Sequence, residues 1–254
     1  MSGRLYLVPN ALDFGVADAK QAALQDVLPL GVIRVAATLR YWVVENAKTT
    51  RAFLKRVQQI VPLARPLQEL SIIELPRAPK GPGRAGSTAD LHSLLGPAEQ
   101  GHDIGLLSEA GLPAVADPGA ALVQAAHKQG ITVVPLCGPS SLALALAASG
   151  LNGQSFAFVG YLPVDAAARA QRIHELEALS RRAGQTQLMI ETPYRNANLL
   201  QALLGHLNGQ TQLSVSCGLT LEEAWTRTCT VAQWHAQAAP MPSDVPAVFA
   251  LLAG

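Results

Sequence analysis

The stretch IGLLSEAGLPAVADPGAALVQAAHKQGITVVPL (residues 104–136) decides the fold. It opens on an apolar run, IGLLSE (104–109), and closes on a β-branched one, ITVVPL (131–136); both read as strands. Between them GAALVQAAHKQ (119–129) has helical spacing and is followed by Gly130, the residue favoured just past a helix end. A strand, a helix and a strand in that order make a βαβ unit, and such units build mainly parallel sheets. One segment is left over. SEAGLPAVADPG (108–119) sets small residues, two prolines and two acids between strand and helix. That is longer than a strand-to-helix connection usually needs, so the segment is expected to line something.

The same alternation extends outward. LYLVP (5–9) is a short strand stopped by Pro9, and ADAKQAALQDVLPL (17–30) has helical spacing. VIRVAATLRYWVVEN (32–46) carries the chain into a strand around Tyr41–Val44, and TTRAFLKRVQQIV (49–61) predicts an amphipathic helix. RAPKGPGRAGS (77–87) predicts a mobile surface loop, after which Ser87-Thr88 offers a cap for a helix through TADLHSLLGPAEQ (88–100). SSLALALAAS (140–149) is a helix with Pro139 near its start. After Gly150 the texture changes: a strand and turn at 154–163, a helix with a charged face at 166–184, a strand at 187–193 and a helix at 196–207. QLSVSCGLT (212–220), EEAWTRTCTVAQW (222–234) and PAVFALLAG (246–254) then read as strands joined by turns. The expectation is an α/β protein of two α/β domains, residues 1–152 and 153–254.

Composition narrows the chemistry. Apolar residues make up 49% of the 254 and charged residues 15%, which favours a sizeable core over disorder. The apolar run LALALAASGL (142–151) is about half the length a membrane span needs. MSGRLYLVPN does not read as a secretory signal, so a cytoplasmic location without membrane attachment is expected. Cys137, Cys217 and Cys229 form no CxxC pair and suit reduced thiols. The six histidines make no HxxxH or HExxH, so no metal is expected. GxGxxG, GxxxxGK[ST] and GxSxG are all absent in a fitting context. Charge is segregated: between Arg34 and Arg84 ten Lys/Arg face three acids, and the rest of the chain is net acidic. Such a block either attracts a polyanion or is a solvated helix face.

What remains are Gly/Pro-rich loops at strand ends, where open α/β sheets bind ligands. They are Pro9-Asn10-Ala11, Ser108-Glu109-Ala110-Gly111 and Cys137-Gly138-Pro139-Ser140-Ser141. Small residues let backbone groups approach a ligand closely, although GPSS alone also reads as an ordinary helix start.

IGLLSEAGLPAVADPGAALVQAAHKQGITVVPLCGPSSLALALAASGL (104–151) resembles the tetrapyrrole methylase superfamily. Together with LYLVP, VVENAKTTRAFL (43–54), FVGYLP (158–163), LMIETPYR (188–195) and PAVFALLAG, it is most similar to the ribosomal RNA small subunit methyltransferase I branch. The resemblance covers nearly the whole chain and implies an S-adenosylmethionine-dependent methyltransferase with the cofactor folded in a cleft between two α/β domains. It implies that Pro9, Ser108, Glu109, Ala110, Gly111, Val115, Ala116, Ser141 and Ile190 line the cofactor site and that Pro246 and Ala247 close it. It also implies a homodimer. The sequence departs from the branch at two places. Asn10-Ala11-Leu12-Asp13 follow the first strand where a glycine is usual, and Glu45-Asn46-Ala47-Lys48 stands where the branch carries a second acid and an arginine.

Methyl transfer to a hydroxyl needs in-line alignment and gains from a base that takes the proton. Glu45 and Glu191, each at a strand end, are the candidate bases; each reads equally as a surface or capping carboxylate. Lys48, Arg51, Lys55 and Arg56 are the candidate RNA-binding residues, with Arg77, Lys80 and Arg84 on a mobile arm. The expected acceptor is a ribose 2′-hydroxyl of small-subunit ribosomal RNA, alone or within the ribosomal subunit. A small-molecule, tetrapyrrole-like methylase and a non-catalytic S-adenosylmethionine-binding protein are the alternatives. A basic apron favours RNA, and an apolar trough favours a metabolite.

Overall fold

The computed structural model describes residues 2–13, 16, 21–76, 88–237 and 241–254, with the backbone alone for 88–90. The expected loop at 77–87, with Arg77, Lys80 and Arg84, and residues 17–20 of the expected helix 17–30 lie outside the described residues. The chain divides into two compact units, Met1–Phe14 with Ala22–Pro139, and Gly15–Gln21 with Ser140–Gly254. The expected change-over at 152/153 falls one helix later than this division.

The first unit is built on a five-stranded sheet of β1 (Arg4–Val8), β2 (Tyr41–Val44), β3 (Ser71–Glu74), β4 (Ile104–Leu107) and β5 (Thr132–Pro135). The order is β3-β2-β4-β1-β5, and every pairing is parallel. β4 is buried at all four positions, as a central parallel strand covered on both faces requires. Side-chain alternation sorts the strands between two cores. Trp42, Val44, Val8 and Leu107 pack with Ile33 and Ala36 of α2 (Leu30–Thr38) and with Phe53, Leu54 and Val57 of α3 (Ala47–Ile60). Val43, Leu5, Ile104 and Leu106 pack on the other face, with Leu122 and Ala126 of α6 (Ala120–Lys128). Gly105 lies under Trp42: a Cβ there would come within 2.8 Å of the indole.

Two elements differ from the sequence reading. VIRVAAT, read only as the lead into the strand at Tyr41–Val44, is itself part of helix α2 ahead of that strand, with Val32, Ile33, Ala36 and Ala37 filling the core beside Trp42. Helix α1 (Leu24–Val27) is a short turn upstream of it. Strand β3 was not expected; it pairs with β2 from Tyr41↔Ser71 to Val44↔Glu74. Helices α4 (Thr88–Leu94) and α5 (Gly96–Glu99) complete the unit.

The second unit carries a mixed sheet in the order β6-β7-β10-β8-β9: β6 (Phe156–Phe158), β7 (Thr186–Ile190), β8 (Gln212–Cys217), β9 (Trp225–Thr230) and β10 (Ala247–Leu252). Only β6 and β7 run parallel to each other; the other pairings are antiparallel. Along β10 the residues alternate between two cores. Ala247, Phe249 and Leu251 face the cluster holding Ile173 and Leu176 of α8 (Ala166–Ala183) and Leu199 and Leu203 of α9 (Asn196–His206). Val248 and Ala250 face Ala145 and Leu146 of α7 (Ser141–Ser149). That packing places α7 in the second unit. The expected strand at 222–234 is β9 followed by helix α10 (Val231–Ala236), where Thr230 and Gln233 form a reciprocal capping box.

Candidate active site

The sheet order of the first unit creates a switch point. The connection from β1 to β2 runs through α1 and α2 on one face, and that from β4 to β5 runs through α6 on the other. Because β1 and β4 are neighbours, their following loops diverge and leave a crevice at the carboxyl edge, the place where such sheets take ligands.

Asn10 stitches these loops together. Its N–H donates to the Gly111 carbonyl at 2.9 Å, and the Gly111 N–H donates back at 3.2 Å. Its Nδ2 donates to the carbonyls of Glu109 (3.0 Å) and Ser108 (3.3 Å), while its Oδ1 accepts from the Ala11 N–H at 2.9 Å. The side chain is therefore saturated although the residue is only 6% exposed. The residue that follows Pro9 thus has a structural task. The loop it holds is bent by positive φ at Gly111 (65°), Ala114 (66°), Ala116 (64°) and Gly119 (128°). For the two alanines that conformation costs roughly 1–2 kcal/mol each, strain of the kind folds keep at functional loops.

The expected cofactor residues of this unit divide by role. Pro9 is buried against Gly138, where any Cβ would overlap the proline ring. Ser108 and Gly111 are buried, and the Ser108 Oγ donates to the Ala110 carbonyl at 3.1 Å. Glu109 and Ala110 are half-buried, whereas Ala116 is exposed and Val115 is 45% exposed.

Carboxylates gather beside this loop. Glu45 directly follows β2, and its Oε2 accepts the Glu109 N–H at 3.0 Å. The Glu74 Oε1 accepts the Ala47 N–H at 2.8 Å. Glu109 has a buried Oε1 without a hydrogen-bond partner. Burial, then the Glu45 charge, raise its pKa against a lowering hydrogen bond with Thr49; Glu74 raises it further. Asp117 is pushed up to about 6, first by burial and then by Glu45, with Glu109 adding to the rise and hydrogen bonding to the Ser108 hydroxyl opposing it. Sequence reading passed over Asp117, because an acid in a loop carries no signal until its neighbours are known.

Asn46 caps α3, its Oδ1 accepting from the Lys48 (2.9 Å) and Thr49 (3.3 Å) N–H groups. The amide therefore does the capping work that an aspartate would do there. Lys48, Arg51 and Lys55 are exposed along α3. Arg56 is engaged elsewhere: it pairs with Asp13 at 3.0 Å and donates to the Ala22 carbonyl at 2.8 Å. The exposed basic face is thus Lys48, Arg51 and Lys55.

In the second unit Ile190, Pro246 and Ala247 lie at one end of the sheet, and Ser141 opens α7, which packs against that sheet. Ile190 pairs with Val248 and, like Leu142 and Leu219, packs against the cluster of Ala145, Leu146, Leu188, Val248 and Ala250. Pro246 is fixed because its carbonyl accepts the Gly218 N–H at 2.9 Å, and the buried Asn196 donates to the adjacent Val245 carbonyl at 3.1 Å. Glu191 leaves the end of β7 already neutralised. Its Oε1 accepts from Thr192 N–H (2.7 Å) and from Arg195 Nη2 (2.8 Å), and Arg195 also bonds the Thr192 hydroxyl at 3.1 Å. All three cysteines are free thiols. Among the described residues no group of His, Cys, Asp and Glu is arranged to hold a metal ion, and no helix is long and apolar enough to cross a membrane.

Known proteins resemble this arrangement. A family model described as Tetrapyrrole (Corrin/Porphyrin) Methylases matches residues 38–234. The ribosomal RNA small subunit methyltransferase I of Mesorhizobium japonicum is 38% identical over 151 residues, covering 59% of this chain and 50% of that protein. The protein of the same name from Vibrio cholerae is 39% identical over 120 residues, 47% of this chain and 40% of its own length. The chain thus spans about half the length of the curated relatives it matches. Among solved structures, uroporphyrin-III-C-methyltransferase from Thermus thermophilus superposes with a TM-score of 0.55 at 19% identity, over 98% of this chain and 94% of that one. The methyltransferase CobJ does so with a TM-score of 0.54 at 14% identity, over the full length of both chains. These two likenesses concern the fold, and the match of the family model over most of the chain carries the assignment: the protein belongs to the tetrapyrrole methylase family.

Proposed function

We propose that the protein is an S-adenosylmethionine-dependent methyltransferase acting on a ribose 2′-hydroxyl of small-subunit ribosomal RNA. The observation that carries this reading is the stitched, positive-φ loop 108–119 at the β1/β4 switch point, together with the names of the relatives. The site fits the cofactor on two counts. The buried Glu109 Oε1 lacks a donor, which an amino or ribose hydroxyl group would supply. Val115 offers apolar surface to a flat ring. The cofactor contacts proposed are Pro9, Ser108, Glu109, Ala110, Gly111, Val115 and Ala116 in the first unit and Ser141, Ile190, Pro246 and Ala247 in the second, with Pro9 acting through its packing.

S-adenosylmethionine supplies a methyl group on a sulfonium, so the carbon–sulfur bond breaks as the carbon–oxygen bond forms. The protein's tasks are alignment and removal of the hydroxyl proton. Of the two candidate bases, Glu45 is held by a backbone N–H and Glu191 by a guanidinium. Asp117, with its pKa raised to about 6 beside Glu45 and Glu109, is better matched to accepting a proton near neutral pH. The exposed Lys48, Arg51 and Lys55 supply phosphate contacts and favour RNA over a metabolite. The protein works in the cytoplasm as a homodimer in this reading, and light scattering at micromolar concentration tests the dimer.

The deciding experiment offers labelled S-adenosylmethionine to ribosomal subunits, naked RNA and a small-molecule extract. Label in RNA, resistant to alkaline cleavage at the modified ribose, is expected. Label in small molecules alone would move the reading to a metabolite methylase. Cofactor binding without any transfer would leave a binding protein.

A further inference from the structure

We propose that Asn10 is a positioning residue of the cofactor site: it turns the Glu109–Ala110 peptide so that the Ala110 N–H points at an acceptor atom of S-adenosylmethionine. The inference rests on the cofactor reading above. The loops after β1 and β4 are already closed on each other by backbone alone, through the paired bonds between Asn10 and Gly111. The asparagine side chain adds nothing to that closure. Its Nδ2 reaches two other peptides, donating to the carbonyls of Ser108 at 3.3 Å and Glu109 at 3.0 Å. The opposite side of the first of these peptides is held as well, because the Glu109 N–H donates to the Glu45 Oε2 at 3.0 Å. The Ala110 carbonyl accepts from the Ser108 hydroxyl at 3.1 Å. From the Ser108 carbonyl to the Gly111 carbonyl, every backbone polar group except the Ala110 N–H thus has a partner among the described residues.

The direction of that one unspent donor follows from Asn10. The Glu109–Ala110 peptide is trans, so its carbonyl and its N–H point to opposite sides. The carbonyl faces the Asn10 amide, and the Ala110 N–H therefore faces away from it. Ala110 is half-buried, so a ligand that covers this donor must bring an acceptor to it. A carboxylate oxygen, a ring nitrogen or a ribose oxygen meets that requirement, and an apolar group does not. The amide that sets the direction has little freedom of its own. Asn10 is only 6% exposed, and its Oδ1 accepts from the Ala11 N–H at 2.9 Å. A donor fixed before the ligand arrives loses no freedom when it binds. A residue serving the fold alone would make itself felt in stability and leave affinity untouched well below the melting temperature.

The test combines calorimetric titration and amide NMR on the full chain, with S-adenosylhomocysteine as the probe. In the wild type the Ala110 amide proton should move downfield at saturation. Asn10→Ala and Asn10→Asp both remove the donor to Ser108 and Glu109, the second at nearly constant shape. Each should weaken binding roughly 3- to 100-fold, the span of one hydrogen bond from neutral to charge-assisted, and each should lose the downfield shift. Melting curves and the dispersion of the amide spectrum certify folding, and the wild-type shift remains a test should a variant not fold. A second probe, 5′-methylthioadenosine, lacks the amino-acid end of the cofactor. An equal loss of its affinity places the acceptor on the nucleoside, and an unchanged affinity places it on the carboxylate. Wild-type affinity in both variants, with lowered melting temperatures, would overturn the proposal and leave the cofactor reading standing. An Ala110 amide unmoved by saturating ligand in the wild type would overturn it too. A wild type that binds no S-adenosylhomocysteine would remove the cofactor reading and this inference with it.

Discussion

Two loops of this protein face the same problem, a carboxylate at a strand end, and solve it in opposite ways. After β7, Glu191 is answered at once by Arg195 at 2.8 Å. After β4, burial and then the charge of other acids, Glu45 among them, raise the pKa values of Glu109 and Asp117. The first arrangement ties the strand end into a knot beside Tyr194. The second keeps a carboxyl able to exchange a proton near neutral pH. Position at a strand end therefore does not make a base; burial, and then the sign of the neighbouring charge, does.

The contrast can be broken most severely at Gly111. Its φ of 65° suits glycine, a Cβ would come within 3.1 Å of Leu12, and its N–H and carbonyl hold Asn10. Gly111→Val should abolish measurable cofactor binding in a calorimetric titration. It should also loosen the β1 and β4 loops, costing about 2–3 kcal/mol in thermal unfolding. Full affinity in that variant would take the loop out of the site.

The neutralised side is tested by Arg195→Met, which leaves the buried Glu191 carboxylate without its guanidinium. Stability should fall by about 3 kcal/mol in denaturant unfolding, and the further change Glu191→Gln should recover most of that loss. Equal stability of the Arg195 variant and wild type would show that Thr192 alone holds the acid.

A third contrast lies within the first unit, between its acidic edge and the basic face of α3. Lys48→Ala, Arg51→Ala and Lys55→Ala combined should flatten the slope of log RNA affinity against log salt by about three units. Cofactor affinity should be unaffected. A flat salt profile in the wild-type protein would contradict the RNA reading.

The smallest effect concerns Asp117. Its folded pKa is raised to about 6 from 3.8, so folding favours its protonated form. That preference stabilises the fold fully below the unfolded pKa and is lost as pH rises through about 6. Asp117→Asn should then be more stable than wild type at pH 8, by on the order of 1 kcal/mol after solvent screening, and the gain should vanish near pH 4. In the transfer assay the same variant should lose rate across the range where the wild-type rate rises with a midpoint near 6.

The βαβ unit at 104–136 was legible because a buried parallel strand is a continuous apolar run and Gly130 marks the end of its helix. Helix α2 was not, because VIRVAAT is rich in β-branched residues and only packing beside Trp42 makes it helical. Strand β3 has just four residues, half-buried to exposed, too few to show a period. At the site, the loop 108–119 was visible through its length and its glycines. The work of Asn10 was not, since a buried asparagine declares itself only through the carbonyls it reaches, Ser108 and Glu109, which lie about a hundred positions away. Arg56 reads from sequence as one more charge on α3, and the partner that takes it out of the basic face, Asp13, lies 43 positions away.

The central claim is that the carboxyl edge of the first sheet, at the β1/β4 switch point, receives the cofactor. Hydrogen exchange with and without S-adenosylhomocysteine tests it most directly. Slowed exchange is predicted in peptides covering residues 8–13 and 106–119, with the exposed face of α3 unchanged. Saturable binding that leaves both of those segments exchanging as in the free protein would contradict the account.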